Sequence, residues 1–199
     1  MKRLLFIIAL SVLMSTCNTN KKKEKEWLQT YGNSLLEFNP NMIGHFPFDL
    51  TPFEKRKLYI YHLGATDYNN KAGIIIDTWS DSLFFYNTMK ALNNRNITNY
   101  SINDDKLIFI GDTLTDYSNI KNGKPISSFS NIRDQFGLSN IKLNMKEHVY
   151  ILECEKGEFL EKEDLTTELM LPDEWKHGFS RGIVADSSEF RLTYWLVLW

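Results

Sequence analysis

The last ten residues, FRLTYWLVLW (190–199), set the strongest limit on what this chain can fold into. Successive side chains of an extended strand point to opposite faces. Leu192, Tyr194, Leu196 and Leu198 therefore line one face, and Thr193, Trp195, Val197 and Trp199 the other. Both faces are apolar, so the strand belongs in the interior of a sheet that is covered on both sides. The preceding RGIVAD (181–186) and the turn residues SSE make it the second arm of a C-terminal β-hairpin.

The rest of the chain supplies partners for that strand in mixed order. KLYIYHL (57–63), AGIIIDTW (72–79) and HVYILEC (148–154) read as strands, and ITNYSI, NDD and KLIFIGD (97–112) as a hairpin. Ser80 or Asp81 can cap a helix through SLFFYNTMKALNN (82–94), which puts Phe85, Met89 and Leu92 on one stripe. Helical spacing also joins Trp27, Tyr31, Leu35 and Phe38, although Gly32 weakens that helix. ISSFSNIRDQFGL (126–138) places Phe129, Ile132 and Phe136 together and ends at Gly137. A short helix and a Pro-led turn are expected over EKEDLTTELMLPDEW (161–175). About seven strands and three helices without β-α-β alternation predict an α+β fold, its mainly antiparallel sheet carrying helices on one face. The terminal aromatic also resembles the last strand of an outer-membrane barrel. Such a barrel needs alternating strands throughout, which the helical segments contradict.

The N-terminus has a separate logic. Lys2 and Arg3 precede the apolar run LLFIIALSVLM (4–14), which is too short to span a bilayer and reads as a signal peptide. LMSTC (13–17) resembles the lipobox of bacterial lipoproteins, with Thr16 in place of the usual Gly or Ala. The resemblance covers only the first 20 or so residues. It implies that Cys17 is acylated and becomes the mature N-terminus; a plain secretory peptide cleaved nearby is the alternative. NTNKKKEKE (18–26) then forms a polar tether. Asn18 after the Cys resembles outer-membrane sorting, and the lack of an acidic run points to the periplasmic face. The expected organisation is a signal peptide over 1–16, a lipidated Cys and tether over 17–26, and one globular domain over 27–199.

Chemistry is suggested most directly by Gly178-Phe179-Ser180-Arg181-Gly182, a literal G-x-S-x-G. A nucleophile elbow needs a core strand before the Ser and a helix after it. Here LPDEWKH precedes it and a hairpin follows. No His occurs after His177, which is three residues from Ser180; His148 is the other candidate base. The expected role of Gly178 and Gly182 is to allow a turn from Trp175 into the last hairpin. His45, His62, His148 and His177 are dispersed, with no H-x-x-x-H and no metal-ligand pairing. Trp175, His177 and Arg181 are the candidate binding residues, on a shared exposed rim. Tyr150, Leu152 and Cys154 alternate on one strand face, which makes Cys154 a small buried hydrophobe. Asp104, Asp105, Asp112 and Asp116 fit turns. No phosphate loop or calcium spacing is present, and no cofactor is implied. Asp81-Ser82-Leu83 and Asp112-Thr113-Leu114 resemble a short O-glycosylation motif of exported proteins.

A net charge of −2 with scattered basic residues excludes a dedicated nucleic-acid binder. The leading expectation is a non-enzymatic lipoprotein of the envelope, held at the membrane by its lipid. It would bind a protein partner, as an assembly component or immunity-type protector. The rival is an envelope serine hydrolase using Ser180 with His177 or His148. A small-ligand carrier is a third class.

Overall fold

The structure is a computed structural model that describes residues 28–50, 53–63, 72–112, 114–129, 146–161 and 170–199. The signal peptide, Cys17, the tether, Thr113, most of the predicted helix from 130 onward and the one over 162–169 lie outside the described residues. The chain divides into two units, Met1–Pro40 and Asn41–Trp199. In the first, helix α1 (28–36) buries Tyr31, Ser34 and Leu35 on one face. Ser34 Oγ donates back to the Thr30 carbonyl at 2.8 Å. Helix α2 (Pro40–Ile43) follows. No helix among the described residues is long and apolar enough to cross a membrane.

The second unit is α+β, with eight strands among the described residues. These are β1 (Phe53–Leu63), β2 (Ala72–Ser80), β3 (Asn99–Ser101), β4 (Leu107–Ile110), β5 (Lys124–Ser127), β6 (Glu147–Lys156), β7 (Gly178–Asp186) and β8 (Arg191–Leu198). Six form one antiparallel sheet in the order β1-β2-β8-β7-β6-β3. β4 and β5 pair in parallel as a separate small sheet. Strand β8 sits between β2 and β7, and all eight of its residues are buried. Its apolar faces require that position.

Register sorts the core into two halves. On one face, Tyr61, Ile75, Trp195 and Gly182 run side by side across β1, β2, β8 and β7. Ile108, Ile110, Ile126 and Phe129 cover this face, and the Phe129 ring meets Trp195 edge-on at 5.6 Å. On the other face, Tyr194 packs against Phe46 at 6.2 Å between ring centroids. Helix α3 (Ser82–Asn94) lies on that side, its N-cap Asp81 accepting the Phe84 N–H at 2.8 Å. Phe85 and Leu92 are buried, and Phe85 meets Phe190 of the β7–β8 loop. The helix layer is the expected one; the β4–β5 layer opposite was not foreseen.

Two segments depart from expectation. β3 and β4 do not form a hairpin: β3 pairs with β6, while β4 pairs with β5. Leu107, Ile108 and Ile110 are buried, whereas β3 is polar and partly exposed. Asp104 turns the chain between them by accepting the Lys106 N–H at 2.9 Å. Ile126 and Ser127, read as the start of a helix, belong to β5.

One row of the sheet is charged and buried. Trp79, Arg191, Asp186 and Glu147 stand opposite one another across β2, β8, β7 and β6. Arg191 pairs with Glu147, lies 3.6 Å from Asp186 Oδ2 and stacks on the Trp79 ring at 5.7 Å. Asp186 also accepts from the Ser188 amide at 2.9 Å and from its hydroxyl at 2.6 Å, closing the hairpin loop. Removing Arg191 takes from these buried carboxylates the cation they are seen to pair with among the described residues. Arg191→Met should therefore lower the unfolding free energy by about 3–5 kcal/mol in urea titration. Lys156→Met, at the exposed Lys156–Glu174 pair, should cost about 1 kcal/mol or less. Equal, small losses in both variants would contradict the role given to Arg191.

Candidate functional site

The G-x-S-x-G run is strand β7 itself. Gly178, Ser180 and Gly182 occupy alternate positions and share the face that carries Trp195 and Trp199. Neither glycine has a positive φ, so the turn role expected for them is replaced by a packing role. A Cβ on Gly182 would overlap the Tyr150 carbonyl and the Trp195 ring. A Cβ on Gly178 would sit 2.6 Å from the Glu155 carbonyl and 3.0 Å from the Trp199 ring. The glycines are gaps in the strand over which two indoles lie.

Ser180 is 0 % exposed. Its hydroxyl donates to the Pro125 carbonyl at 2.6 Å and accepts from Trp195 Nε1 at 3.4 Å. The proton that a general base would remove is held by a main-chain carbonyl, and the oxygen faces an indole. His148 pairs in register with Ala185, on the opposite face of the sheet from Ser180, and is exposed. His177 precedes the strand, and its main-chain carbonyl accepts the Gly157 N–H at 3.2 Å. This geometry can join layers but cannot present a nucleophile.

The rim of Trp175, His177 and Arg181 is dispersed. Trp175 is 5 % exposed, and its carbonyl accepts Trp199 Nε1 at 2.8 Å, within the core on the Trp195 side. Arg181 points to the other face, where Nη2 pairs with Glu153 at 2.6 Å and Nη1 donates to the Asn41 carbonyl at 2.5 Å. His177 is half-buried. His62 lies on β1 opposite Ile74. Among the described residues no group of three or more His, Cys, Asp or Glu side chains could hold a metal ion. Asp112, Asp104 and Asp116 do cap turns, each accepting a main-chain N–H two residues on at 2.9 Å.

Cys154 is half-buried beside the core, and burial pushes its thiol pKa up, which leaves it an inert hydrophobe. The alternation read from Tyr150 through Cys154 is broken. Tyr150 stands opposite Ile183 and Cys154 opposite Ser180, and these two partners lie on different faces of β7. A β-bulge at Leu152, between Ile151 and Glu153, shifts the parity.

Among the described residues, a concave surface lies on the helix side of the sheet. An open groove of about 280 Å³ runs between α3 and residues 44–47. Leu152, Ile183 and Tyr194 form its floor; Phe84, Thr88, Ala91, Leu92 and Arg95 form one wall, and Gly44, His45 and Pro47 the other. His45 fastens its wall to the sheet: Nε2 lies 2.9 Å from the Trp195 carbonyl, which can only accept, so Nε2 carries the proton. Burial pulls the His45 pKa down to about 4; the Arg181 charge adds to this, and the bond to Trp195 opposes it. A large apolar side chain adjoins each wall in sequence. Phe48, next to Pro47, is 80 % exposed, and Leu83, next to Phe84, is 70 % exposed. None of these residues was marked as a site from sequence; the signal available was the second stripe of α3, at Phe84, Thr88, Ala91 and Arg95.

Two outcomes follow. A fluorophosphonate probe should leave the folded protein unlabelled, while Ser180→Ala costs about 1–3 kcal/mol because Pro125 O and Trp195 N–H lose their partner. Labelling of native protein that disappears in Ser180→Ala would restore the nucleophile. His45 is neutral when folded, whereas an unfolded His binds a proton near pH 6.5. Stability should therefore fall by about 1.4 kcal/mol per pH unit from pH 6.5 down toward pH 4. In His45→Gln that part of the pH dependence should vanish, and parallel pH profiles would refute it. Compared with family models, with curated proteins and with solved structures, the chain matches none of them.

Proposed function

We propose that this chain is a non-catalytic binding protein of the cell envelope. A lipid on Cys17 tethers it to the outer membrane, with its folded part facing the periplasm and engaging another protein. The observation that carries the binding role is the open groove beside α3, with a large exposed apolar side chain next in sequence to each of its walls. Phe48 follows Pro47 of one wall and Leu83 precedes Phe84 of the other, and large exposed apolar groups beside a concave surface mark interaction sites. The burial of Ser180 supports the same reading, because it uses the serine hydroxyl for packing. A lipid anchor suits such a role, since it confines the domain to the membrane surface and raises its effective concentration beside other anchored proteins. The groove is open and slightly below the roughly 300–1,000 Å³ of small-molecule cavities, so it suits a partner's side chain better than a whole ligand.

Photo-crosslinking in cells tests this. The crosslinking residue replaces Phe48 or Leu83, with Asp116, exposed in the loop that joins the opposite layer, as control. The tag belongs in the tether, because Trp199 is buried. The expected result is one polypeptide captured from positions 48 and 83, absent at position 116 and lost in Cys17→Ser. Capture from no position, or equally from all three, would overturn the proposal.

A further inference from the structure

We infer that the α3 groove receives an acidic, apolar polypeptide segment, one large side chain resting on its floor and a carboxylate meeting Arg95. The inference rests on the binding role proposed above and names the chemistry of the partner.

Phe84, Thr88, Ala91 and Arg95 follow one another at spacings of four, three and four, which is one face of a helix. At 1.5 Å per residue this stripe is about 16 Å long, the length of about five residues of extended chain. Ala91 is exposed and leaves only a methyl group in the middle of the stripe, so a segment can approach the helix backbone there. Opposite it, Leu152 shares the face of Tyr150 and Ile183 and lies on the groove floor.

Charge selects the partner. Residues 82–95 include Lys90 and Arg95 and no acid. Arg181 and Arg191 are each ion-paired, whereas the exposed Arg95 guanidinium has no carboxylate partner among the described residues. A guanidinium presents a planar fork of donors that matches a carboxylate. A membrane surface is the other target for apolar groups beside cations, but here exposed Asp49 follows Phe48 and exposed Asp81 precedes Leu83. Carboxylates at these positions interrupt the continuous cationic surface that an anionic membrane needs, whereas a short segment can meet Arg95 alone.

The test uses the full lipidated protein in phosphatidylcholine nanodiscs and fluorescein-labelled pentapeptides read by anisotropy. Three probes share alternating leucine or phenylalanine and differ in the remaining positions, which carry Asp and Glu, Asn and Gln, or Lys. The acidic probe should bind most tightly, and added salt should weaken it. Arg95→Gln should weaken it about fivefold, the scale of one exposed ion pair, and Ala91→Trp, which fills the groove, by more than tenfold. Both residues are exposed, so unchanged thermal melts show that folding is intact. Equal binding of the three probes, no binding up to about 1 mM, or insensitivity to both variants would overturn the inference. Preferential binding to phosphatidylglycerol vesicles through the same residues would overturn it in favour of a membrane. Crosslinked capture from position 48 that persists unchanged in Arg95→Gln would leave the binding role standing and remove only the acidic partner.

Discussion

The Trp195 indole, laid across Gly182 and hydrogen-bonded toward Ser180, ties the layers of this protein together. A tryptophan in the central strand of a covered sheet has no room unless the neighbouring strand gives up a side chain, and β7 gives up two. Gly182 accepts Trp195 and Gly178 accepts Trp199, while Ser180 between them carries the sheet's contact to Pro125 of β5. The indole ring meets Phe129 on that side, and the carbonyl of the same residue holds His45 on the other. One residue thus anchors the small parallel sheet through its ring and the groove wall through its backbone. Glycine in a strand normally weakens it; an aromatic lying over the gap restores the lost burial.

At the other end of the same face the constraint is electrostatic. A row of Trp79, Arg191, Asp186 and Glu147 crosses four strands and admits one register, because a one-residue slip would move every member to the opposite face. Buried ion pairs add little stability relative to well-packed apolar groups. Their value here is that any alternative pairing of β6, β7 and β8 would leave a charge buried alone. Between this row and the tryptophans, Thr193 donates to Asp77 at 2.5 Å, so even the intermediate polar position is satisfied across strands. The face is polar and specific at one end, aromatic and tight at the other.

What the sequence made legible follows from local periodicity. The double apolar alternation of β8, the Asp81 cap with the Phe85 and Leu92 stripe, and the hairpin through Asp186 and Arg191 each depend on residues close in the chain. The failures share one cause: each depends on a partner far away. Tyr150, Leu152 and Cys154 alternate perfectly, yet a bulge set by pairing with β7 breaks the parity. NYS and LIFI flank a good turn, yet each finds a better partner elsewhere, across β6 and β5. The rim of Trp175, His177 and Arg181 was drawn from closeness in sequence, and a strand sends neighbours such as Ser180 and Arg181 to opposite faces. The groove escaped notice because its parts come from residues near 45, 90, 152 and 190, and no window of the chain contains more than one of them.

The likeness of G-x-S-x-G to a nucleophile elbow and its actual use have a common physical root. In an elbow, small residues flank the serine because the turn is crowded and neighbouring backbone approaches closely. In β7 small residues flank the serine because indoles approach closely. Crowding demands glycine in both settings, so the pattern reports crowding and not chemistry; what surrounds the hydroxyl decides between them. Here a carbonyl and an indole surround it, and the packing they make keeps that face of the sheet closed. Among the described residues, the opposite face is covered by α3 at Phe85 and Leu92 and by Phe46 against Tyr194. It is on this side, between α3 and residues 44–47, that the groove opens beside Ala91 and Arg95.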